Sequence, residues 1–251
     1  FRAHLLHGVT GSGKTELYLR LVERALAAGQ QALLLVPEIN LTPQLEARVA
    51  ARFPEAQLTS LHSELTEAAR TRNWKAAFDG TARIVLGTRL AVFTPMPDIG
   101  LIVVDEEHDA SFKQQDGMRY SARDVAVFRA HARGIPIVLG SATPSLESWA
   151  NATDPRTPAR YGLLTLKERA VAAARLPAVR RIDTRLEKLQ DGCCDALLKA
   201  INERLARGEQ SLVFLNRRGY APVLTCTSCG WISHCKRCAA NLVLHLAHAR
   251  L

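Results

Sequence analysis

Apolar residues in the first 150 or so positions fall into short runs separated by longer stretches of helical spacing. AHLLH (3–7), QALLLVP (31–37), AQLTSLH (56–62), ARIVLG (82–87), GLIVV (100–104) and PIVLG (136–140) are brief, apolar and bounded by turn residues, the pattern of strands buried on both faces. Between them, ELYLRLVERALAAG (16–29), LTPQLEARVAARF (41–53) and EAARTRNWKAAFDG (67–80) read as helices, the first stopped at Gly29. Strands alternating with helices predict an α/β unit over 1–152, a parallel sheet covered on both faces. NATDPRTPARYG (151–162), rich in Pro and polar residues, reads as a linker. Beyond it, LLTL, a strand around PAVRRID, the helix CDALLKAINERLARG and the strand QSLVFL begin a second α/β unit over 153–225. That unit is expected to be incomplete, because a cysteine cluster occupies 226–251. No internal repeat is present.

No apolar run approaches the roughly 18 residues of a membrane span, which excludes a helical membrane protein. FRAHLLHG carries no secretory signal, and without a starting Met the chain is expected to be a piece of a longer protein. Its 47% hydrophobic and 23% charged residues are an ordinary globular balance and exclude a disordered chain. The net charge of +9 is unevenly spread: residues 1–154 sum to −1 and residues 155–251 to +10. A C-terminal half so biased suits polyanions, nucleic acid first, although a solvated basic face is the plain alternative. Four of the six cysteines lie between 226 and 238, a clustering that favours metal over disulfides; Cys193 and Cys194 read as structural.

Gly8 to Thr15 match G-x-x-x-x-G-K-[ST] between an expected strand and an expected helix. Gly8, Thr10, Gly11, Ser12 and Gly13 would let backbone N–H groups wrap phosphates at a helix N-terminus, next to Glu16. Lys14 would reach the β and γ phosphates, and Thr15 would ligate magnesium. Four apolar residues, LIVV, then deliver DEEH to the end of a strand. Asp105 is placed to hold magnesium through water, and Glu106 to orient and deprotonate a water attacking the γ-phosphate. A further strand ends in GSAT (140–143), whose Ser141 and Thr143 could sense the γ-phosphate or contact the 105–108 loop. The loop DASFKQQDGMRYSAR (109–123) carries Phe112, Lys113, Arg119 and Tyr120, a mixture suited to stacking on unpaired bases and pairing with phosphates. The alternative is that Phe112 and Tyr120 pin the loop to the core.

GSGKT, DEEH and SAT, in this order and about 90 and 35 residues apart, resemble the motor core of superfamily 2 helicases. With LVPEINLTPQ, LHS, the long segment from GTRLAVF through DEEH to SARDVA, GSATPSLESW, FLNRRGY and C-x2-C-x5-C-x2-C, the chain resembles the primosomal replication-restart helicases along essentially its whole length. The resemblance implies a RecA-like ATP-binding lobe over 1–152, the start of a second RecA-like lobe over 153–225 and a partial zinc-binding region over 226–251. It implies an ATP- and Mg2+-dependent, 3′ to 5′ DNA helicase acting on branched DNA and stalled forks and initiating primosome assembly. The implied partners are single-stranded and forked DNA, primosome proteins and single-stranded DNA-binding protein, in a bacterial, cytoplasmic, nucleoid-associated setting without membrane.

The resemblance further implies that the 109–123 loop couples DNA contact to ATP hydrolysis, and that Thr42, His62, Thr88 and Arg89 line the strand. His62 reads equally well as a core histidine. Asn216, Arg217 and Arg218 would lie beside the nucleotide cleft or the DNA path, or form solvated surface. Cys226, Cys229, Cys235 and Cys238 could hold one zinc between two knuckles, although the five-residue spacer strains a single site. In the family, two structural zincs are bound by eight interleaved cysteines, so these two pairs would serve different ions. The second-lobe arginine finger would lie past residue 251, so the chain alone is expected to bind Mg-ATP without efficient hydrolysis or unwinding. The rival reading is a zinc-containing nucleic-acid-binding module whose nucleotide site is only a switch.

Overall fold

A computed structural model describes residues 1–37, 42–156, 160–170, 178–184, 189–190, 192–214, 223, 226, 228–238 and 240–242. The chain divides into two compact units, Phe1–Arg175 and Leu176–Leu251.

Among the described residues, the first unit holds seven strands in one wholly parallel sheet. They are β1 (Arg2–Gly8), β2 (Gln31–Leu35), β3 (Leu58–Leu61), β4 (Ile84–Gly87), β5 (Ile99–Val104), β6 (Pro136–Ser141) and β7 (Tyr161–Leu166). Their spatial order is β3-β4-β2-β5-β6-β1-β7. Helices α1 (Lys14–Ala27), α2 (Thr42–Arg52), α3 (Glu67–Phe78), α4 (Ala122–Arg133) and α5 (Leu146–Thr153) connect them. Strand periodicity divides the core in two. Leu5, Leu33, Leu35, Val85, Ile102, Val104, Ile137 and Leu139 face one cluster with Ala122, Ala126 and Ala130 of α4. Their neighbours Leu6, Leu34, Leu86, Val103 and Val138 face the other, with Tyr18, Leu19, Val22 and Ala25 of α1. Both faces of β5 are therefore dry, and all its residues are buried, as parallel strands between two helix layers require.

One buried polar residue pins this layering. Gln31, fully buried at the start of β2, donates from Nε2 to the carbonyls of Ala77 (3.0 Å) and Ala82 (2.7 Å) and accepts at Oε1 from the Asp98 amide (3.1 Å). It ties the end of α3 and the entries to β4 and β5 to one side chain. Gln31→Leu strands three backbone groups, each costing about 1–3 kcal/mol when left unsatisfied. The expected result is a loss of roughly 3 kcal/mol or more in urea unfolding.

The structure departs from the sequence expectation in several places. β7, from the stretch assigned to the second unit, pairs in register with β1, so the first sheet extends past residue 152. The expected linker at 151–153 is the last turn of α5, which is capped by the Ser145 hydroxyl on the Ser148 amide. PAVRRID shows no strand over its described residues 178–183, nor does QSLVFL over 210–214. A strand needs a neighbour for its N–H and C=O groups, and among the described residues no strand pairs with 210–214, where Leu212 and Phe214 are 99% and 83% exposed.

The second unit contains a short antiparallel pair, β8 (Leu189–Gln190) with β9 (Cys193–Cys194), leading into α6 (Asp195–Leu205). Cys194, at the start of that helix, is buried. Among the described residues no helix is long and apolar enough to cross a membrane.

Candidate active site

Ligand-binding loops of an open parallel sheet gather at the C-terminal ends of its strands. Here β6 lies between β5 and β1, so the loops after these three neighbours are brought together. After β1 the chain turns sharply into α1. Gly11 and Gly13 adopt φ of 77° and 89°, the left-handed region that glycine enters without steric cost. The Ser12 amide donates to the Val9 carbonyl (3.0 Å), while the Ser12 hydroxyl is buried with no hydrogen-bond partner among the described residues. Thr10 to Glu16, Asp105 and Glu106 line one open cleft of about 840 Å3, a volume of the order small-ligand sites occupy. Glu16 at its rim pairs with Arg20 (2.9 Å). Lys14 Nζ donates to the Gly8 carbonyl (3.0 Å) and stands 3.8 Å from Glu106 Oε1.

Asp105 leaves the end of β5 and is fixed from two sides. Its Oδ1 accepts from the Tyr18 hydroxyl (2.9 Å) and from the Glu106 amide (3.1 Å). Burial raises the Asp105 carboxyl above its ordinary pKa, opposed by these two donors and by the charge of Lys14. Glu106 is raised chiefly by burial and then by the Asp105 charge; Lys14, His108 and the Ala142 amide pull the other way. The Tyr18 phenol is driven far above its ordinary value by burial and by Asp105, so it remains a donor. Glu106 is the only non-glycine residue with positive φ among the described residues, at 46°, a backbone strain typical of functional turns.

The 140–145 segment closes on this turn. Ser141 Oγ lies 2.8 Å from His108 Nδ1, and Thr143 Oγ1 lies 3.3 Å from its Nε2. His108 Nδ1 is in turn 3.6 Å from Glu106 Oε2. Thus the hydroxyls of GSAT contact the 105–108 loop.

Sequence reasoning missed three features of this turn. Glu107, with no exposed side-chain surface, accepts from the Ser145 amide and hydroxyl, the Ser148 hydroxyl and Arg123 Nη1, at 2.7–3.2 Å. Tyr18 had no signal beyond being an aromatic on the apolar face of α1. Gly140 is bare where the Tyr18 hydroxyl passes, and a Cβ there would overlap that hydroxyl. Gly140→Ala is expected to displace Tyr18 and cost roughly 1–3 kcal/mol by overpacking, measured by thermal unfolding.

The expected DNA-facing residues meet different fates. Phe112 is 1% exposed and belongs to the core cluster, so its ring is not offered to bases. The pinning alternative holds for it because the 3₁₀ turn Ala110–Phe112 folds the loop back onto the sheet. Tyr120 packs partly buried against the same cluster, edge-on to Phe93 at 4.9 Å. Lys113 and Arg119 are exposed on a hairpin-like loop closed by the bridge Lys113↔Ser121. Arg89 directs Nη1 to the carbonyls of Ser111 (3.0 Å) and Lys113 (3.3 Å), so this part of its guanidinium ties that loop to the 3₁₀ turn Arg89–Phe93. Thr88 precedes this turn and is half-buried; Thr42 opens α2. His62 Nδ1 is buried without a hydrogen-bond partner among the described residues, in a small pocket with Arg70 and Trp74. Asn216, Arg217 and Arg218 lie outside the described residues.

Each cysteine pair forms a knuckle. The Cys226 carbonyl accepts from the Gly230 amide and the Cys226 amide donates to Trp231. The Cys226 thiol is lowered by the amides of Cys229 and Ser228, and the Cys235 thiol by those of Arg237 and Cys238. Among the described residues no three His, Cys, Asp or Glu side chains converge as a metal site.

The DEAD/DEAH box helicase family matches residues 2–152. The chain is 46% identical over 247 residues to the replication restart protein PriA of Haemophilus influenzae, covering 98% of this chain and 33% of that protein. It is 42% identical over 254 residues to PriA of Bacillus subtilis, covering 100% and 31%. The chain thus spans about a third of the length of these relatives. Among solved structures, RecG bound to a three-way DNA junction superposes with a TM-score of 0.50 at 20% identity, over 82% of this chain and 25% of that one, a likeness of fold. With its phosphate loop, DEEH turn and parallel sheet in one unit, the chain belongs to the DEAD/DEAH box helicase family.

Proposed function

We propose that this chain supplies the ATP-binding lobe of a DNA helicase that restarts replication, moving 3′ to 5′ on branched DNA and stalled forks. The observation that carries the reading is the meeting of Lys14, Asp105 and Glu106 in one cleft. The positive-φ glycines and the unpartnered Ser12 hydroxyl fit a phosphate chain. The loop amides and Lys14 bind and orient the triphosphate. Thr15 and Asp105 would hold Mg2+, which when bound neutralises charge on the phosphate oxygens. Glu106 orients the attacking water and takes its proton, helped by a carboxyl pKa that burial raises above the ordinary value. His108 links Glu106 to Ser141 and Thr143, giving the 140–143 segment a contact with the catalytic turn.

Of the residues expected to face DNA, Lys113 and Arg119 are exposed cations; contacts of this type grip the backbone without reading sequence, as a translocase needs. Phe112 acts through the core, and Arg89 through the loop it holds. The replication restart relatives support a role in restarting replication; primosome assembly and contact with single-stranded DNA-binding protein rest on the resemblance of the sequence motifs alone. The two cysteine knuckles fit half-sites for two structural zincs, each completed by cysteines elsewhere, since each pre-positions two thiols. Zinc would there close a fold and leave no open position for catalysis.

The test is ATP hydrolysis by the full-length protein carrying this segment, with and without forked DNA. Strong stimulation by the fork is expected; turnover indifferent to DNA would sink the helicase reading. The 251-residue chain alone is expected to bind Mg-ATP and hydrolyse it poorly, and robust unwinding by it would contradict that.

A further inference from the structure

We infer that Tyr18 is a positioning residue for nucleotide-bound magnesium, holding the Asp105 carboxylate in one orientation from within the helix that follows the phosphate loop. The inference rests on the assignment of Asp105 proposed above. Tyr18 stands four residues after Lys14 on α1, one turn along the same face. Its hydroxyl donates to Asp105 Oδ1 (2.9 Å), and the Glu106 amide donates to the same oxygen (3.1 Å). Two donors converging on Oδ1 fix the plane of the carboxylate, and among the described residues Oδ2 accepts no hydrogen bond. Oδ2 is thus the oxygen left for a magnesium-bound water, on a residue lining the cleft.

A tyrosine serving only as core would need no hydroxyl here. Its ring is 1% exposed and packs against Leu6, Val103 and Val138, a task phenylalanine performs equally well. The fold instead makes room for the oxygen. Gly140 on β6 lies against the Tyr18 hydroxyl, and any side chain there would displace it. Three elements thus converge on one hydrogen bond: α1 gives the donor, β5 presents the acceptor and β6 clears the path. The partners that orient a metal-holding side chain commonly matter to affinity on the order of tenfold or more.

The experiment compares the wild-type 251-residue chain with Tyr18→Phe, titrating Mg2+ against binding of a fluorescent ATP analogue. Analogue binding in EDTA and thermal unfolding without nucleotide are measured alongside. Tyr18→Phe is expected to raise the half-saturating Mg2+ concentration on the order of tenfold while leaving binding in EDTA unchanged. Val22→Ala removes packing from the same buried face of α1 without touching Asp105; it should lower the melting temperature and leave the Mg2+ dependence intact. An unchanged Mg2+ requirement in Tyr18→Phe, or an equal shift in Val22→Ala, overturns the assignment. Asp105→Asn separates this from the site reading: if it too leaves the Mg2+ dependence unchanged, Asp105 does not hold the metal and both fall.

Discussion

Glu106→Gln is expected to abolish DNA-stimulated ATP turnover in the full-length protein while leaving nucleotide and DNA binding in place. Glu106 sits in the cleft with Lys14, at the strained turn after β5, and burial and the neighbouring Asp105 raise its carboxyl pKa. Such a group is a competent base toward a nucleophilic water, and an amide of the same shape is not. General-base catalysis is worth about 10²–10⁴ in rate, so turnover should fall by roughly a thousandfold. Removing the charge also frees Lys14 from its 3.8 Å neighbour, so ATP binding should hold or tighten. Paired measurements of turnover and of fluorescent nucleotide binding check this. The outcome also separates a motor from a nucleic-acid-binding module with a nucleotide switch, because a switch that does not hydrolyse loses nothing measurable.

Glu107→Ala should be the most destabilising single change at the site. Its carboxylate joins Arg123 at the start of α4 to Ser145 and Ser148 around the start of α5, and its own amide donates to Gly140 on β6. Alanine leaves the mostly buried Arg123 guanidinium without this partner and strips the Ser145 amide of its acceptor. Breaking a buried ion pair from one side costs about 3–5 kcal/mol, and for a unit of this size that lowers the melting temperature by on the order of 10 °C. Glu107→Gln, which keeps the shape and most acceptors, should fall between alanine and wild type. A thermal melt of the three proteins decides it, and a loss within about 0.5 kcal/mol, typical of a surface substitution, would mean the cluster is not holding the turn.

The strand runs and the grouping of Lys14, Asp105 and Glu106 in one cleft were readable from the chain because both are local: a buried strand announces itself by its apolar run, and a phosphate loop by the glycines its backbone demands. The helix α4 was not, since its core face is Ala122, Ala126 and Ala130, side chains too small to mark an apolar stripe. β7 was assigned to the wrong unit because an edge strand is half exposed, and only its pairing with β1 shows which sheet owns it. Phe112 and Tyr120 sit in a polar loop where an aromatic could serve bases or core equally, and the fold-back onto the sheet settled Phe112 as core. Glu107 read as one more acid beside two candidate catalytic ones, yet it is the residue whose partners come from 16 to 41 positions away. Backbone preference and motif chemistry are written in neighbouring residues. Burial, and with it the difference between a catalytic carboxylate and one that holds the site together, exists only once distant segments have closed over it.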